Sequence, residues 1–289
     1  MIAEDILRKQ WKEVGLGLLN LVAVVAVIAV FQPLVRKYMF SAGAGVMAVL
    51  VLATYILATR LIERRIPTEF AANRALPECA TGIALGFGLF AAVMAILLAM
   101  GVYHPGGWGT TSGLVSGLFF AVLAGIMEEI LFRGLLFRLS AKIVGTWGAL
   151  IFTAGLFGLA HLANRGASIR SSVAIALEAG ILLGAAYAAT QRLWLPIGLH
   201  AGWNFTEGSL FGMTLSGNTM GVGLLRGSLS GPDRLTGGAF GPEASIVAVL
   251  VCLVAALFFL WRTVKLHRVE APIWSKVPDT HHVQSTLAS

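Results

Sequence analysis

Gly125-Ile126-Met127-Glu128-Glu129-Ile130-Leu131-Phe132-Arg133-Gly134 decides the fold. Two adjacent carboxylates and an arginine interrupt a run, Leu114 to Leu139, that is otherwise almost entirely apolar. Ionisable groups at bilayer depth cost several kcal/mol each, so they are rare there and usually functional. On a helix Glu129 and Arg133 stand four residues apart on one face and can pair. Glu128 lies about 100° round the axis from Glu129 and is left for other work.

The surrounding composition makes the run a membrane span. The chain of 289 residues is 57% hydrophobic and 12% charged, with a formal net charge of +7, and its mean hydropathy is +0.83. Soluble domains carry about 25% charged residues, so these values describe an integral membrane protein. The basic excess is spread over loops without a clustered face, which argues against a nucleic-acid partner. Cys79 and Cys252 lie in or beside apolar runs and read as small buried hydrophobes, not as a disulfide or a zinc framework.

Eight apolar segments are expected to cross the membrane as helices, roughly Val14–Phe31, Ala42–Leu61, Ala80–Val102, Leu114–Leu139, Trp147–Ala163, Ser172–Thr190, Leu193–Phe211 and Ala244–Trp261. The expected fold is therefore all-α and polytopic. Residues 1–13 form a head, 14–261 a single helical domain with its catalytic core at about 114–211, and 262–289 a tail expected to be disordered. Arg36-Lys37 after the first span, without a small-residue cleavage site, favour a retained anchor over a cleaved signal peptide. Fifteen of the 21 lysines and arginines fall at the two ends of the chain, in the even loops or at the even-loop ends of spans, intramembrane Arg133 included, which predicts that both termini are cytoplasmic. Trp11, Trp147, Trp194 and Trp261 fall at the same predicted face. Residues 212–243, rich in Gly, Ser and Thr, form a long outer loop that suits a re-entrant or lid-like piece.

Further polar groups share the paradox of Glu128 and Glu129. His161 ends the fifth segment, and Asn164 follows; His200 and Asn204 stand one turn apart in the seventh. Gly145 marks the turn between the fourth and fifth segments, with Glu129 16 residues before it and His161 16 after it. At about 1.5 Å per residue the two side chains reach one depth in an antiparallel hairpin. His200, eight residues past Arg192, is reckoned nearer the cytoplasm, a gap that tilt or a late start of that helix at Pro196 could close. Glu178, in the sixth segment, is expected to partner an arginine such as Arg133, with a proton relay as its other reading. Singly, each group has a bland explanation in interhelical hydrogen bonding. Together, the acids, imidazoles, arginine and amide on three spans make acid–base chemistry the better account.

In chain order, Glu128-Glu129-x-x-x-Arg133, Phe157-x-x-x-His161 and His200-x-x-x-Asn204, with Leu193-Trp194-Leu195-Pro196-Ile197 before the last, resemble the CPBP family. That family includes the type II CAAX prenyl endopeptidases and bacteriocin self-immunity proteins. The resemblance covers about residues 125–204. It implies an intramembrane endopeptidase acting on a membrane-associated or lipidated polypeptide. In that reading Glu128 is the general base that holds the attacking water with His161, Glu129 and Arg133 shape the motif, and His200 and Asn204 donate to the oxyanion. Two histidines and a Glu could also form a three-ligand zinc site from Glu128, His161 and His200. A His-Glu-x-x-His helix is absent and Asn204 is a poor zinc ligand, so the metal-free mechanism is preferred; His281-His282 in the tail are weak evidence for metal. Competing classes are a proton- or ion-coupled transporter using the same buried charges, and a non-cleaving binding or immunity protein. The expected location is a bacterial cytoplasmic membrane.

Overall fold

A computed structural model describes residues 2–38, 40–219 and 223–275. The chain is helical nearly throughout: α1 (Ile2–Tyr38), α2 (Phe40–Leu61), α3 (Ala75–Ala99), α4 (Leu114–Glu129), α5 (Arg138–Ala160), α6 (Ile169–Ile175), α7 (Ile181–Thr190), α8 (Trp194–Phe205), the single turn α9 (Asp233–Thr236) and α10 (Ile246–Lys265). Two small antiparallel pairs interrupt it: β1 (Tyr103–Trp108) with β4 (Leu225–Leu229), and β2 (Thr214–Leu215) with β3 (Asn218–Thr219). Large apolar side chains cover the outside, among them Val115, Leu118, Ile151, Val254 and Leu257. Exposed in this number they would condemn a soluble protein; they are what an acyl-chain solvent requires. The protein is an all-helical, polytopic membrane protein.

Six helices among the described residues are long and apolar enough to cross a membrane, against the eight segments expected. The fourth and fifth segments form one stretch of 50 residues, Leu114–Ala163. It turns at Gly145, whose φ of 74° and ψ of 174° are not helical, where the hairpin reading put its corner. The seventh segment is shorter, and α8 is buried from Leu195 to Asn204. It is a central post, and most of its faces meet protein.

Backbone contact between α3 and α8 holds that post. Gly82 and Gly86 face Gly198 and Gly202, a small-xxx-small pattern on both helices. A Cβ at Gly86 would stand 2.2 Å from the Leu199 carbonyl oxygen, and one at Gly202 2.5 Å from that of Ile83. With no side chains between them the two helices lock at one height and rotation. That fixes which face of α8, and hence His200 and Asn204, is turned to α4.

Three stretches widen from α-helical to π-helical winding: Ile130–Phe137 after α4, Ala176–Gly180 between α6 and α7, and Thr206–Leu210 after α8. Such wide turns cluster at functional sites. Here they carry or border Arg133, Glu178 and Glu207. The outer loop is not loose. Its β2–β3 hairpin is clamped at Gly217, whose N–H donates to the Phe240 carbonyl and where a Cβ would stand 1.8 Å from the Arg165 oxygen.

Part of the tail is also placed. α10 runs on to Lys265, and the Thr146 N–H donates to the Glu270 carbonyl at 3.0 Å. The Glu270 N–H donates in turn to the Thr146 hydroxyl at 2.7 Å. Residues 276–289, with His281-His282, lie outside the described residues. At the same end Glu63 joins α2 to the α4–α5 hairpin, through Arg138 at 2.9 Å and Asn20 of α1 at 2.6 Å. Arg65, outside the spans, is also half-enclosed there. Burial works against its charge, but the hydrogen-bonded carboxylates of Glu69 and Glu63 hold its pKa above the ordinary value.

The helix lock gives a sharp comparison within one helix. Gly86→Ala forces a Cβ into the Leu199 oxygen and is expected to lower the thermal midpoint of the detergent-solubilised protein strongly. Gly88, two residues on with nothing within 4 Å, is expected to accept alanine at no cost, gaining up to about 1 kcal/mol in helix propensity.

Candidate active site

Glu129 is fully buried, and its Oε1 is shared between two cations or donors from different elements. The Arg133 guanidinium donates to it at 2.9 Å, and His200 Nδ1 stands at the same 2.9 Å. A carboxylate only accepts, so Nδ1 carries the proton. One oxygen thus ties the fourth helix to α8. The Arg133 side chain, 1% exposed, is held further by the carbonyls of Ala179 and Gly180, both at 3.1 Å, and by the Phe157 ring, 4.8 Å from its centroid. A single guanidinium therefore joins α4, α5 and the wide turn before α7.

Glu128 faces the other way, as the 100° offset predicts. Its Oε2 has no hydrogen-bond partner, stands 4.0 Å from His200 Nε2, and belongs to a side chain that is 22% exposed. It lines a cavity of about 580 Å³ together with His161, Asn164, His200 and Asn204. His161 donates from Nδ1 to the Phe157 carbonyl at 2.8 Å, because a carbonyl only accepts; in the neutral ring its Nε2 is then a lone pair. The Phe157 ring lies 4.6 Å from the His161 ring and 6.3 Å from that of His200, centroid to centroid. All six sequence-predicted residues, Glu128, Glu129, Arg133, His161, His200 and Asn204, fall in this one locality.

Two expectations need correction. His200 is level with Glu129, not nearer the cytoplasm. The reckoning took Gly145 and Arg192 as equal starting heights, yet Gly145 packs on Glu270 and Pro272, beyond the end of α10, while Arg268 reaches back to Ala189. The hairpin simply extends further than the α7–α8 corner. Glu178 does not pair with Arg133. The wide turn presents the carbonyls of Ala179 and Gly180 to the guanidinium instead, and Glu178 meets Cys252 Sγ at 3.6 Å.

Among the described residues no three His, Cys, Asp or Glu side chains are grouped to hold a metal ion. Of the candidate ligands, His200 gives its Nδ1–H to Glu129 and its Nε2 stands 4.0 Å from Glu128 Oε2, while His161 shares only the cavity lining with them.

Sequence reasoning missed three residues. Glu207, fully buried, accepts from Trp203 Nε1 at 2.9 Å. Ser216, in the β2–β3 hairpin, lines the main cavity, and Glu243, 3% exposed, comes in from the segment before α10. Glu207 could have been found, since it extends the His200, Asn204 face at i+7; nothing in the sequence marks Ser216 or Glu243.

Acids, imidazoles and an amide round an internal cavity of an all-helical membrane protein are groups that intramembrane hydrolysis can use. Residues 107–206 match the family model described as Rce1-like, type II CAAX prenyl endopeptidase Rce1-like, the kind of family that the three motifs resemble. The match supports an intramembrane CAAX-type protease in general. No curated protein and no solved structure matches the chain.

Removing one partner of a buried ion pair strands the other, at about 3–5 kcal/mol. Arg133→Met is expected to destabilise the protein by that order in denaturant titrations. Glu129→Met/Arg133→Met together are expected to recover part of the loss, because no bare charge remains.

Proposed function

We propose that this protein is an endopeptidase that hydrolyses a peptide bond of a membrane-associated or lipidated polypeptide inside the bilayer. The observation that carries the reading is Glu128: a carboxylate with one donor-free oxygen, on the wall of a cavity it shares with His161, His200 and Asn204. The rest of the wall includes Gln32, Ala44, Met47, Phe120 and Leu123, mostly apolar and from α1, α2 and α4. An extended peptide, or one with a lipid tail, would lie along that wall with its scissile carbonyl toward the polar side.

In this reading a water sits between the Glu128 carboxylate and the His161 Nε2 lone pair. Glu128 takes a proton as the water oxygen attacks the carbonyl carbon, then passes it to the leaving amine nitrogen. Ser216 also lines the cavity, but among the described residues no hydrogen bond joins it to Glu128, His161 or His200 to activate it as a nucleophile, so water attacks directly. The developing oxyanion is met by the Asn204 amide and by His200 Nε2. With Nδ1–H already given to Glu129, Nε2 donates only when the ring holds both protons, the state in which it also pairs with both carboxylates. Glu129 therefore positions the donor without touching substrate. The mechanism uses side chains and water and needs no metal. The loop residues Leu215, Ser216, Asn218 and Thr219, which also line the cavity, close it on the side away from the cytoplasm if both termini are cytoplasmic, as the charge bias of the loops supports. A bacterial cytoplasmic membrane suits that bias.

Cleavage of a membrane-embedded reporter peptide by reconstituted protein tests the assignment. Glu128→Gln is expected to lower kcat by about 10²–10⁴, and Asn204→Ala by about 10²–10³ with little change in KM. Full activity in Glu128→Gln removes the base and with it this mechanism. Incubation with a strong zinc chelator is expected to leave the rate unchanged; a rate abolished by the chelator and restored by zinc would contradict the metal-free route.

A further inference from the structure

Next to the main cavity, and sharing His161, His200 and Asn204 with it, lies a second, smaller chamber of about 30 Å³, lined also by Glu178, Ser216 and Glu243. That volume suffices for a water or two, and the walls offer more than the two to four polar partners a buried water needs. Three carboxyl groups gather around it and just beyond: Glu178 and Glu243, each 3% exposed, and Glu207 at 0%. Among the described residues no Lys or Arg pairs with any of them. Donors are scarce as well. Glu207 has Trp203 Nε1, Glu178 has the weak Cys252 thiol, and Glu243 has Ser216 within reach.

Glu207 and Glu243 each keep one buried oxygen, Oε1, that no donor reaches, and Glu207 Oε1 reaches to within 3.5 Å of a Cβ built at Gly241, two residues before Glu243, so the two acids converge on one buried spot. Two ionised carboxylates in that position would repel with no water to screen them. One proton between them supplies the missing donor and halves the buried charge. A divalent cation is the other way to neutralise such a group, but no three of these acids are arranged to hold a metal.

We propose that Glu207 and Glu243 share a single proton, and that this acid pair is a proton store for the hydrolytic site, connected to it through water in the smaller chamber. The second half rests on the protease reading above. Hydrolysis consumes one water with two protons. The first travels from the attacking oxygen to Glu128 and on to the amine nitrogen. The second stays on the new carboxyl group, whose O–H must break before the product leaves as a carboxylate. His161 lines both cavities, so its Nε2 takes that proton and a chamber water hands it to the pair. The pair holds one proton for two carboxylates and has room for one more. The proton then returns by the same route to the departing amine or to bulk water. The titratable groups facing the pair are Glu178 from the turn before α7, Cys252 of α10, His161 at the end of α5 and His200 of α8. Glu243 is thus a relay residue, acting on the reaction only through water and His161.

Infrared spectra of the full-length protein in detergent near neutral pH, all recorded in a Glu178→Gln background so that this third cation-free acid adds no band, read the shared proton by the stretch of a protonated carboxyl. The Glu178→Gln parent and its Glu128→Gln derivative are expected to show that band, and its Glu243→Gln and Glu207→Gln derivatives to lose it or shift it. The amide keeps a hydrogen bond to its neighbour, so both variants are expected to stay folded in thermal unfolding. No band in the parent, or a band that disappears on adding sodium chloride and so reports a cation in the proton's place, overturns the proposal. In the cleavage assay Glu243→Gln is expected to lower kcat about tenfold, less than loss of the direct base, with KM unchanged. An unchanged kcat overturns the relay, as does a wild type that cleaves nothing although the parent shows the band; the last outcome would fell the protease reading while leaving the shared proton standing.

Discussion

A single carboxylate oxygen, Glu129 Oε1, accepts from Arg133 and His200 at once, and much of the site depends on it. A charge buried at this depth is tolerable only if it is paired and its partners are satisfied. Arg133 neutralises Glu129 with one terminal nitrogen and gives the other to carbonyls of the turn before α7, leaving only its Nε and the second Glu129 oxygen without a partner among the described residues. His200 contributes the other bond. The same demand explains why Glu128, next in sequence, is free. With the internal charge already balanced, Glu128 faces the cavity with an oxygen that nothing else claims. The paired carboxylate and the one that faces the cavity are thus one residue and about a third of a helical turn apart.

Apolar packing then converts this local pairing into a rigid geometry. α8 carries His200 and Asn204, the wide turn after it carries Glu207, and the height of α8 is set by glycine contacts with α3, where backbone meets backbone. Phe157 lies beneath the arginine and beside both imidazoles, so the apolar ring also fixes the polar ones. The wide turns concentrate irregular backbone where buried polar groups need partners, while the lipid-facing surfaces remain regular and apolar. That division is the one a bilayer enforces, since unsatisfied backbone is excluded from hydrocarbon.

Much of this was legible in the sequence. Charge poverty and apolar runs gave the helical membrane fold, and the equal distances from Gly145 to Glu129 and His161 foretold a hairpin that brings both to one level. The offset between Glu128 and Glu129 foretold their different surroundings. What escaped was whatever depends on the relative height of elements distant in the chain. His200 looked too shallow because loop corners were taken to lie in one plane, and Glu178 was matched to Arg133 because carbonyls from a widened turn have no signature in side-chain identity. The paired glycines at 82, 86, 198 and 202 were readable and carry the α3–α8 contact. Ser216 and Glu243 were not, because only the folded outer loop brings them to the site.

The central claim is that Glu128 looks into a water-filled space within the membrane. Charged, membrane-impermeant thiol reagents test it most directly, applied to Glu128→Cys in intact membranes of a variant whose Cys79 and Cys252 are alanine. The account predicts labelling at position 128 and none at a Val115→Cys control on the exposed apolar surface of α4. An unlabelled Cys at 128, or one no more reactive than the control, would contradict it.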